Sequence, residues 1–429
     1  MLRSLAKTTL RKSSTKVYPS QSRTKWLSTN DEMFGLTPEE TELRQVAHNF
    51  FKEKIDPIAA QIDYEDEFPE SYDFRTFMRE CGEMGFFATL VPESLGGLGP
   101  NDGTFNYFDG MLINEELARI SPGAELSFGA HMYLCIHQIL KHGNAEQKNK
   151  FIPDLMNGKT IGALAMSESE AGSDVVSMKT TAVRKGDKWI LNGTKMWITN
   201  GPIADIYVIY AATDPAKRQA TCFVIDRREH PETFTIGKRL DKMGIRGSAT
   251  GELIFQDVEL TDENVLGAPG KGFHILMDGL NIERITLTSA PIGVMQACND
   301  IAFTYAHDRE QFGQKIAENQ LLQGKMADMY ARLNSIRAYC YTLAKAADRQ
   351  NYNNKDTAAL ILLAGEAATK QALDCVQILG GNGYIKDYPA ERFLRDAKLY
   401  EIGAGTSEVR RWLLGREINL DYKLGRAFM

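Results

Sequence analysis

Ala204-Asp205-Ile206-Tyr207-Val208-Ile209-Tyr210-Ala211-Ala212 is the stretch on which the fold turns. Rich in Val, Ile and Tyr, it reads as a β-strand. Residues 180–183, 188–191, 220–225 and 251–260 share that character, and Lys185-Gly186-Asp187 and Leu191-Asn192-Gly193 between them are turn sequences. The strand-like block runs from Ile161 to Gly267. Outside it the period is helical. Thr37-Pro38-Glu39-Glu40 announces a first helix, with Thr as N-cap, Pro at the first position and Glu behind. Helical windows follow at 71–85, 105–120, 127–142 and 145–156, with a glycine-rich loop at Leu95-Gly96-Gly97-Leu98-Gly99-Pro100. After Gly272 long helical windows return, notably 321–349 and 357–379. Helices, a β block, then helices again give an α+β chain. Without strand–helix alternation a Rossmann-type sheet is disfavoured. The expected units are 35–158, 159–268 and 269–425.

Residues 1–30 stand apart. Arg3, Lys7, Arg11, Lys12, Lys16, Arg23 and Lys25 are accompanied by many Ser and Thr and by no acidic residue before Asp31. Arg3, Lys7 and Arg11 share one helical face, and Leu2, Leu5, Ala6 and Leu10 gather towards the other. That is the pattern of a mitochondrial transit peptide; the blander reading is a basic arm for nucleic acid or membrane. Of the 50 basic residues in the chain, seven lie here, which leaves 43 against 56 acidic residues and a net charge of −13. No basic patch remains to suggest nucleic acid. No apolar run is long enough for a transmembrane helix. The six cysteines are scattered without a Cys-x-x-Cys pair, as expected of thiols in a reducing compartment. His131, His137 and His142 are spaced by six and five residues and share no helical face, so no metal is expected.

Common catalytic patterns are missing. Gly267-Ala268-Pro269-Gly270-Lys271-Gly272 lacks phosphate-loop spacing and reads as a linker. There is no Gly-x-Ser-x-Gly elbow. Two longer patterns are more specific: Ala165-Met166-Ser167-Glu168-Ser169-Glu170-Ala171-Gly172-Ser173-Asp174-Val175-Val176-Ser177, and Gln377-Ile378-Leu379-Gly380-Gly381-Asn382-Gly383-Tyr384 followed by Asp387, Arg392 and Asp396. With Trp197-Ile198-Thr199-Asn200-Gly201, and Arg309 before Phe312-Gly313, they resemble the signature segments of the acyl-CoA dehydrogenases, in order, over residues 35–420.

The resemblance implies an acyl-CoA dehydrogenase fold: an N-terminal α-helical domain, a middle β-barrel or sandwich domain and a C-terminal four-helix bundle. It implies FAD as cofactor, an acyl-CoA as substrate, electron-transferring flavoprotein as partner, a homotetramer and the mitochondrial matrix. The cofactor residues it implies are Leu164, Met166, Ser167, Ser173, Trp197, Ile198, Thr199, Arg309, Gln320, Gln377, Gly380, Gly381, Thr406, Ser407 and Glu408. Trp197 suits an aromatic wall and Thr199 a donor to the flavin, although a lone Trp on a strand is ordinarily core. Arg309 and Gln320 are expected to reach the adenosine end of FAD across a subunit boundary. Gly380-Gly381 alone would be a helix stop.

The reaction needs a carboxylate over the substrate's α-carbon. Straight-chain members of the family carry it in a Tyr-Glu-Gly-Thr segment, but the matching residues here are Gly403-Ala404-Gly405-Thr406. Glu168 and Glu408 lie in flavin segments, and Glu401 is offset by three residues. Glu283, in Asp278-Gly279-Leu280-Asn281-Ile282-Glu283-Arg284, matches the relatives that place the base on a helix, both short branched-chain and long-chain enzymes. A structural ion pair is its bland alternative. Gly279 lies one turn earlier, where a missing side chain would open room for substrate, and Leu287 one turn later would wall the acyl group. Ser173, Asn281, Arg284, Leu287, Gly403, Ala404 and Gly405 complete the expected substrate site. Ala404 keeps the backbone N–H that polarises the thioester in the family. The expected reaction is α,β-dehydrogenation of a short branched acyl-CoA, isovaleryl-CoA of leucine breakdown. The alternatives are a longer straight-chain substrate, or a non-catalytic relative kept as a binding or assembly module.

Overall fold

The computed structural model describes residues 29–426, so residues 1–28 of the expected transit peptide lie outside the described residues. Seven helices come first: α1 (Pro38–Lys54), α2 (Ala59–Glu65), α3 (Phe74–Glu83), α4 (Tyr107–Ile120), α5 (Pro122–Gly129), α6 (His137–His142) and α7 (Ala145–Met156). The first is capped as the sequence predicts: Glu40 N–H donates to the Thr37 hydroxyl, and the Glu40 carboxylate accepts from Thr37 N–H. The helical window at 127–142 is interrupted by a π-helical segment, Ala130–Ile136. It presents His131 to the sheet, where Nδ1 accepts from Gly162 N–H and Nε2 donates to Leu155 C=O, each at 2.9 Å. This neutral ring is tied at both nitrogens, and burial lowers its pKa to about 4.

The middle of the chain forms one eight-stranded sheet. Its strands are β1 (Gly162–Ala165), β2 (Thr181–Lys185), β3 (Lys188–Thr199), β4 (Ile206–Asp214), β5 (Gln219–Asp226), β6 (Phe234–Arg239), β7 (Thr250–Leu260) and β8 (Val265–Leu266). The order is β6-β7-β3-β2-β4-β5-β8, with β1 added parallel to β4. Side chains alternate across a strand, and β4 uses both faces. Tyr207, Ile209 and Ala211 enter the interior of the β unit, while Ile206, Val208, Tyr210 and Ala212 join the core shared with the helices. The decisive stretch is therefore the seam between sheet and helices.

One turn reading is corrected. Leu191-Asn192-Gly193 does not reverse the chain: β3 runs through it to Thr199, with a register shift against β7 between Leu191 and Gly193. Gly193 takes φ +137°, and a Cβ there would stand 2.7 Å from the Cα of Thr180. Glycine serves a close strand crossing here rather than a hairpin.

The chain closes with α8 (Gly272–Thr286), α9 (Ser289–Asp308), the hairpin β9 (Glu310–Gln311) and β10 (Gln314–Lys315), α10 (Gln320–Asp348), α11 (Asn354–Leu379), α12 (Gly381–Tyr384), α13 (Ala390–Ala397) and α14 (Ser407–Leu424). Buried charge joins these helices to the first group. Glu115 of α4 accepts from Arg337 (2.8 Å) and Tyr341 (2.6 Å) of α10 and from Arg44 (3.3 Å) of α1. Among the described residues no helix is long and apolar enough to cross a membrane, and no cluster of His, Cys, Asp and Glu is arranged for a metal.

Candidate active site

Two of the expected groups of residues form local constellations. The first lies at the end of β3. Lys195 pairs with Leu253 and Ile198 with Gly251, so β3 carries one more residue than β7 across this interval, a β-bulge. Trp197 sits in the bulge with φ +61°, a conformation that an aromatic residue adopts only when its surroundings enforce it. Its indole, which strand alternation would have buried, is 51% exposed. Met196 N–H donates to Ser167 C=O (2.9 Å) and the Ser167 hydroxyl donates to Met196 C=O (2.8 Å), stitching the segment after β1 to the bulge. A Cβ on Gly172 would lie 3.6 Å from Cζ3 of Trp197. Leu164 and Ile198 are buried beneath this surface, Met166, Ser167 and Thr199 are half-buried, and Ser173 is exposed beside it.

The second constellation gathers around Glu283 on α8. The residue is half-buried, and the surrounding protein strips its carboxyl of hydration and pushes its pKa up to about 7. Arg284 and Arg410 pull in the other direction, but neither forms an ion pair with it; the carboxyl has no side-chain partner among the described residues. Arg284 is buried, and its guanidinium donates to Asn281 Oδ1 (3.3 Å). Arg410 of α14 donates to the carbonyl oxygens of Tyr400 (2.7 Å) and Ile361 (3.3 Å) and, closer still, of Gly403. The loop so held continues into Ala404 at φ +56° and Gly405 at φ +99°. Ala404 N–H donates to no described acceptor. Thr406 then caps α14 by accepting from Val409 N–H (3.3 Å).

The expectation for Gly279 is corrected. No space opens there: the amide of Gln138 lies over the glycine, with Nε2 only 1.8 Å from where a Cβ would be. The missing side chain admits the buried Gln138, whose Oε1 has no hydrogen-bond partner among the described residues. Leu287, one turn beyond Glu283, is half-buried against the main core.

Two of the other three carboxylates are engaged. Glu168 accepts from the backbone of Lys179 and Thr180 and from Lys195. Glu401 accepts from Lys398 (2.8 Å) and Thr369 (2.5 Å). Glu408 is exposed in the first turn of α14 next to the buried Ser407. Arg309, Gln320, Gln377, Gly380 and Gly381 are all exposed on the C-terminal helices and their hairpin, not in either constellation. Gln138, Lys195 and Arg410 were missed from the sequence. Arg410 had one signal, its position four residues after Thr406, one helical turn from the loop it holds.

Three family models match the chain in succession: the N-terminal domain of acyl-CoA dehydrogenase over residues 37–159, the middle domain over 163–258 and the C-terminal domain over 270–419. The mitochondrial isovaleryl-CoA dehydrogenase of Pongo abelii is 48% identical over 94% of each chain. The mitochondrial 2-methylacyl-CoA dehydrogenase of Solanum tuberosum is 45% identical over 88% of this chain and 90% of that one. The structure of butyryl-CoA dehydrogenase from Megasphaera elsdenii superposes with a TM-score of 0.85 at 33% identity, covering 92% of this chain and all of that one. With domain models spanning nearly all the described residues and relatives this similar from end to end, the chain belongs to the acyl-CoA dehydrogenase family.

Proposed function

We propose that the protein oxidises isovaleryl-CoA, a short branched acyl-CoA of leucine breakdown, to 3-methylcrotonyl-CoA in the mitochondrial matrix, using FAD and passing electrons to electron-transferring flavoprotein. The observation that carries this reading is Glu283, a desolvated carboxyl without a side-chain partner among the described residues, together with the N–H of Ala404, which has no acceptor among them. Glu283 is the general base: burial holds its pKa near 7, so its carboxylate is available at neutral pH yet basic enough to take the α-proton. Ala404 N–H donates to the thioester oxygen, where charge develops as that proton leaves. Arg410 fixes the loop that aims this N–H and limits the rise in the pKa of Glu283.

The residues around Trp197 fit a flavin: an exposed indole on an enforced bulge gives a flat wall, and Gly172 lets a planar ring approach. Bound FAD supplies the two-electron oxidising chemistry that accepts the β-hydrogen. Met166, Ser167, Ser173, Ile198 and Thr199 would hold the ring end, and Arg309, Gln320, Gln377, Gly380 and Gly381 the adenosine end. The exposed Phe312 and Leu321 beside Arg309 and Gln320 suit a subunit boundary, as the proposed homotetramer requires. Gln138 filling the space above Gly279 supports a short acyl group over a long one. The deciding experiment is anaerobic bleaching of the yellow holoenzyme with a panel of straight and branched acyl-CoAs. Fastest bleaching by isovaleryl-CoA is expected; fastest bleaching by a long straight chain would overturn the substrate, and no bleaching by any would overturn the reaction.

A further inference from the structure

Lys195 is fully buried beneath the surface that carries Trp197. Its Nζ donates to Met166 C=O and to Glu168 Oε1, each at 2.9 Å. Glu168 in turn accepts from Thr180 N–H (3.0 Å) through Oε1 and from Lys179 N–H (2.7 Å) through Oε2. One ion pair thus closes three stretches of chain: the segment leaving β1, the segment entering β2 and the bulge of β3. Such a pair is an expensive way to hold a fold, since taking both charges from water offsets most of their attraction, and apolar residues of similar volume usually do as well. What apolar residues could not do is bond the carbonyl of Met166 from below. That bond, with the reciprocal bonds between Ser167 and Met196, ties the segment leaving β1 to the bulge from outside the sheet's own pairing.

We propose that Lys195 and Glu168 are positioning residues for the flavin: their buried pair sets the bulge, so that the indole of Trp197 and the edge formed by Met166 and Ser167 stand in place before the cofactor binds. The inference rests on the FAD reading above. A wall held in place beforehand loses little conformational freedom on binding, which is how preorganisation raises affinity. Burial lowers the pKa of Lys195 to about 8, and Glu168, although burial pushes it up, is held below its ordinary value by Lys195 and the Thr180 and Lys179 bonds, so both are charged at neutral pH.

The test uses full-length protein stripped of FAD and retitrated. Lys195→Met leaves Glu168 without its cation, and Glu168→Gln removes one acceptor while keeping the shape. A third variant, Phe234→Leu, weakens the β core at β6, outside the hydrogen bonds that hold the bulge. Three readouts are taken: the FAD dissociation constant, visible circular dichroism of the flavin at saturation, and melting of the apo-protein. Lys195→Met is expected to raise the dissociation constant tenfold or more and to change the dichroism of the bound flavin; Glu168→Gln should do both more weakly, by about threefold. Phe234→Leu should lower melting and leave the dichroism alone. If Lys195→Met melts lower but binds FAD with wild-type affinity and dichroism, the pair is purely structural and the proposal falls; if that variant does not fold, Glu168→Gln decides on the same two readouts. Failure of the wild-type apo-protein to take up FAD would instead overturn the flavin reading itself.

Discussion

The guanidinium of Arg410 donates to the carbonyl oxygen of Gly403 while its charge acts on Glu283, so one side chain on α14 is coupled both to the loop carrying the Ala404 N–H and to the carboxyl on α8. Losing it should disturb both partners. In Arg410→Gln the cation that holds the pKa of Glu283 down is gone, and the acid limb of the rate profile should move to higher pH. The loosened loop should also slow flavin reduction by about tenfold to a hundredfold, the scale of an ångström-sized misplacement. Rapid-mixing reduction across pH 6–9 measures both, and an unmoved limb would show that Arg410 only holds the loop.

Glu283→Gln should take up FAD as the wild type does and lose flavin reduction by about 10²–10⁴-fold. In the wild type only the ionised carboxylate can accept a proton, so reduction should be slow below pH 7, rise through about 7 and level off above it. A variant that bleaches at near the wild-type rate would return attention to Glu401, despite its bonds to Lys398 and Thr369.

How far the sequence could be read depended on whether a residue's role was local. The cap at Thr37 and the strand at Ile206–Asp214 follow from neighbours in the chain, and both were legible. Glu283 was reached by resemblance and elimination, because Ala404 stands where a carboxylate is otherwise found. Asn192-Gly193 misled because a turn dipeptide and a bulge that lets Thr180 pass look alike in one dimension. Gly279 misled for a similar reason: a glycine announces a close approach, but nothing in α8 says that the approaching group is Gln138. Lys195 and Arg410 stay hidden because a lysine in a strand and an arginine in a charged helix read as solvated until the fold buries them.

Glu125, on α5, is 1% exposed, and burial pushes its pKa up to about 8 against a lowering by Tyr400. Among the described residues its Oε2, the Asn114 amide and the Tyr133 hydroxyl nearby have no hydrogen-bond partner. The folded state therefore prefers the neutral acid. Below pH 4.5, where the unfolded chain is protonated too, this preference changes nothing; between 4.5 and 8 it subtracts about 1.4 kcal/mol of stability per pH unit. Glu125→Gln should remove that slope, melting higher than the wild type at pH 8 and no higher at pH 5. Calorimetry of both proteins across this range checks it, and parallel curves would mean that Glu125 is ionised in the fold.

The last prediction asks whether the carboxylate can be moved. Glu283 and Ala404 are coupled through Arg410, whose charge acts on the first and which bonds the residue before the second, so both positions are expected to address the same α-carbon. Glu283→Ala should be nearly inactive, and adding Ala404→Glu should restore part of the activity. Recovery should be incomplete for two reasons. Position 404 is held at φ +56°, where the new side chain has few rotamers, and its volume enters a site shaped around a methyl group, an overfilling that costs about 1–3 kcal/mol. Branched substrates should suffer more than straight ones, since the added side chain takes space near the acyl group. Ala404→Glu with Glu283 intact should instead depress activity, because two adjoining carboxyls raise each other's pKa and one remains protonated at neutral pH. Steady-state rates with isovaleryl-CoA and butyryl-CoA on the three variants settle it. No recovery in the double variant, with FAD fully bound, would mean that position 404 does not face the reacting carbon.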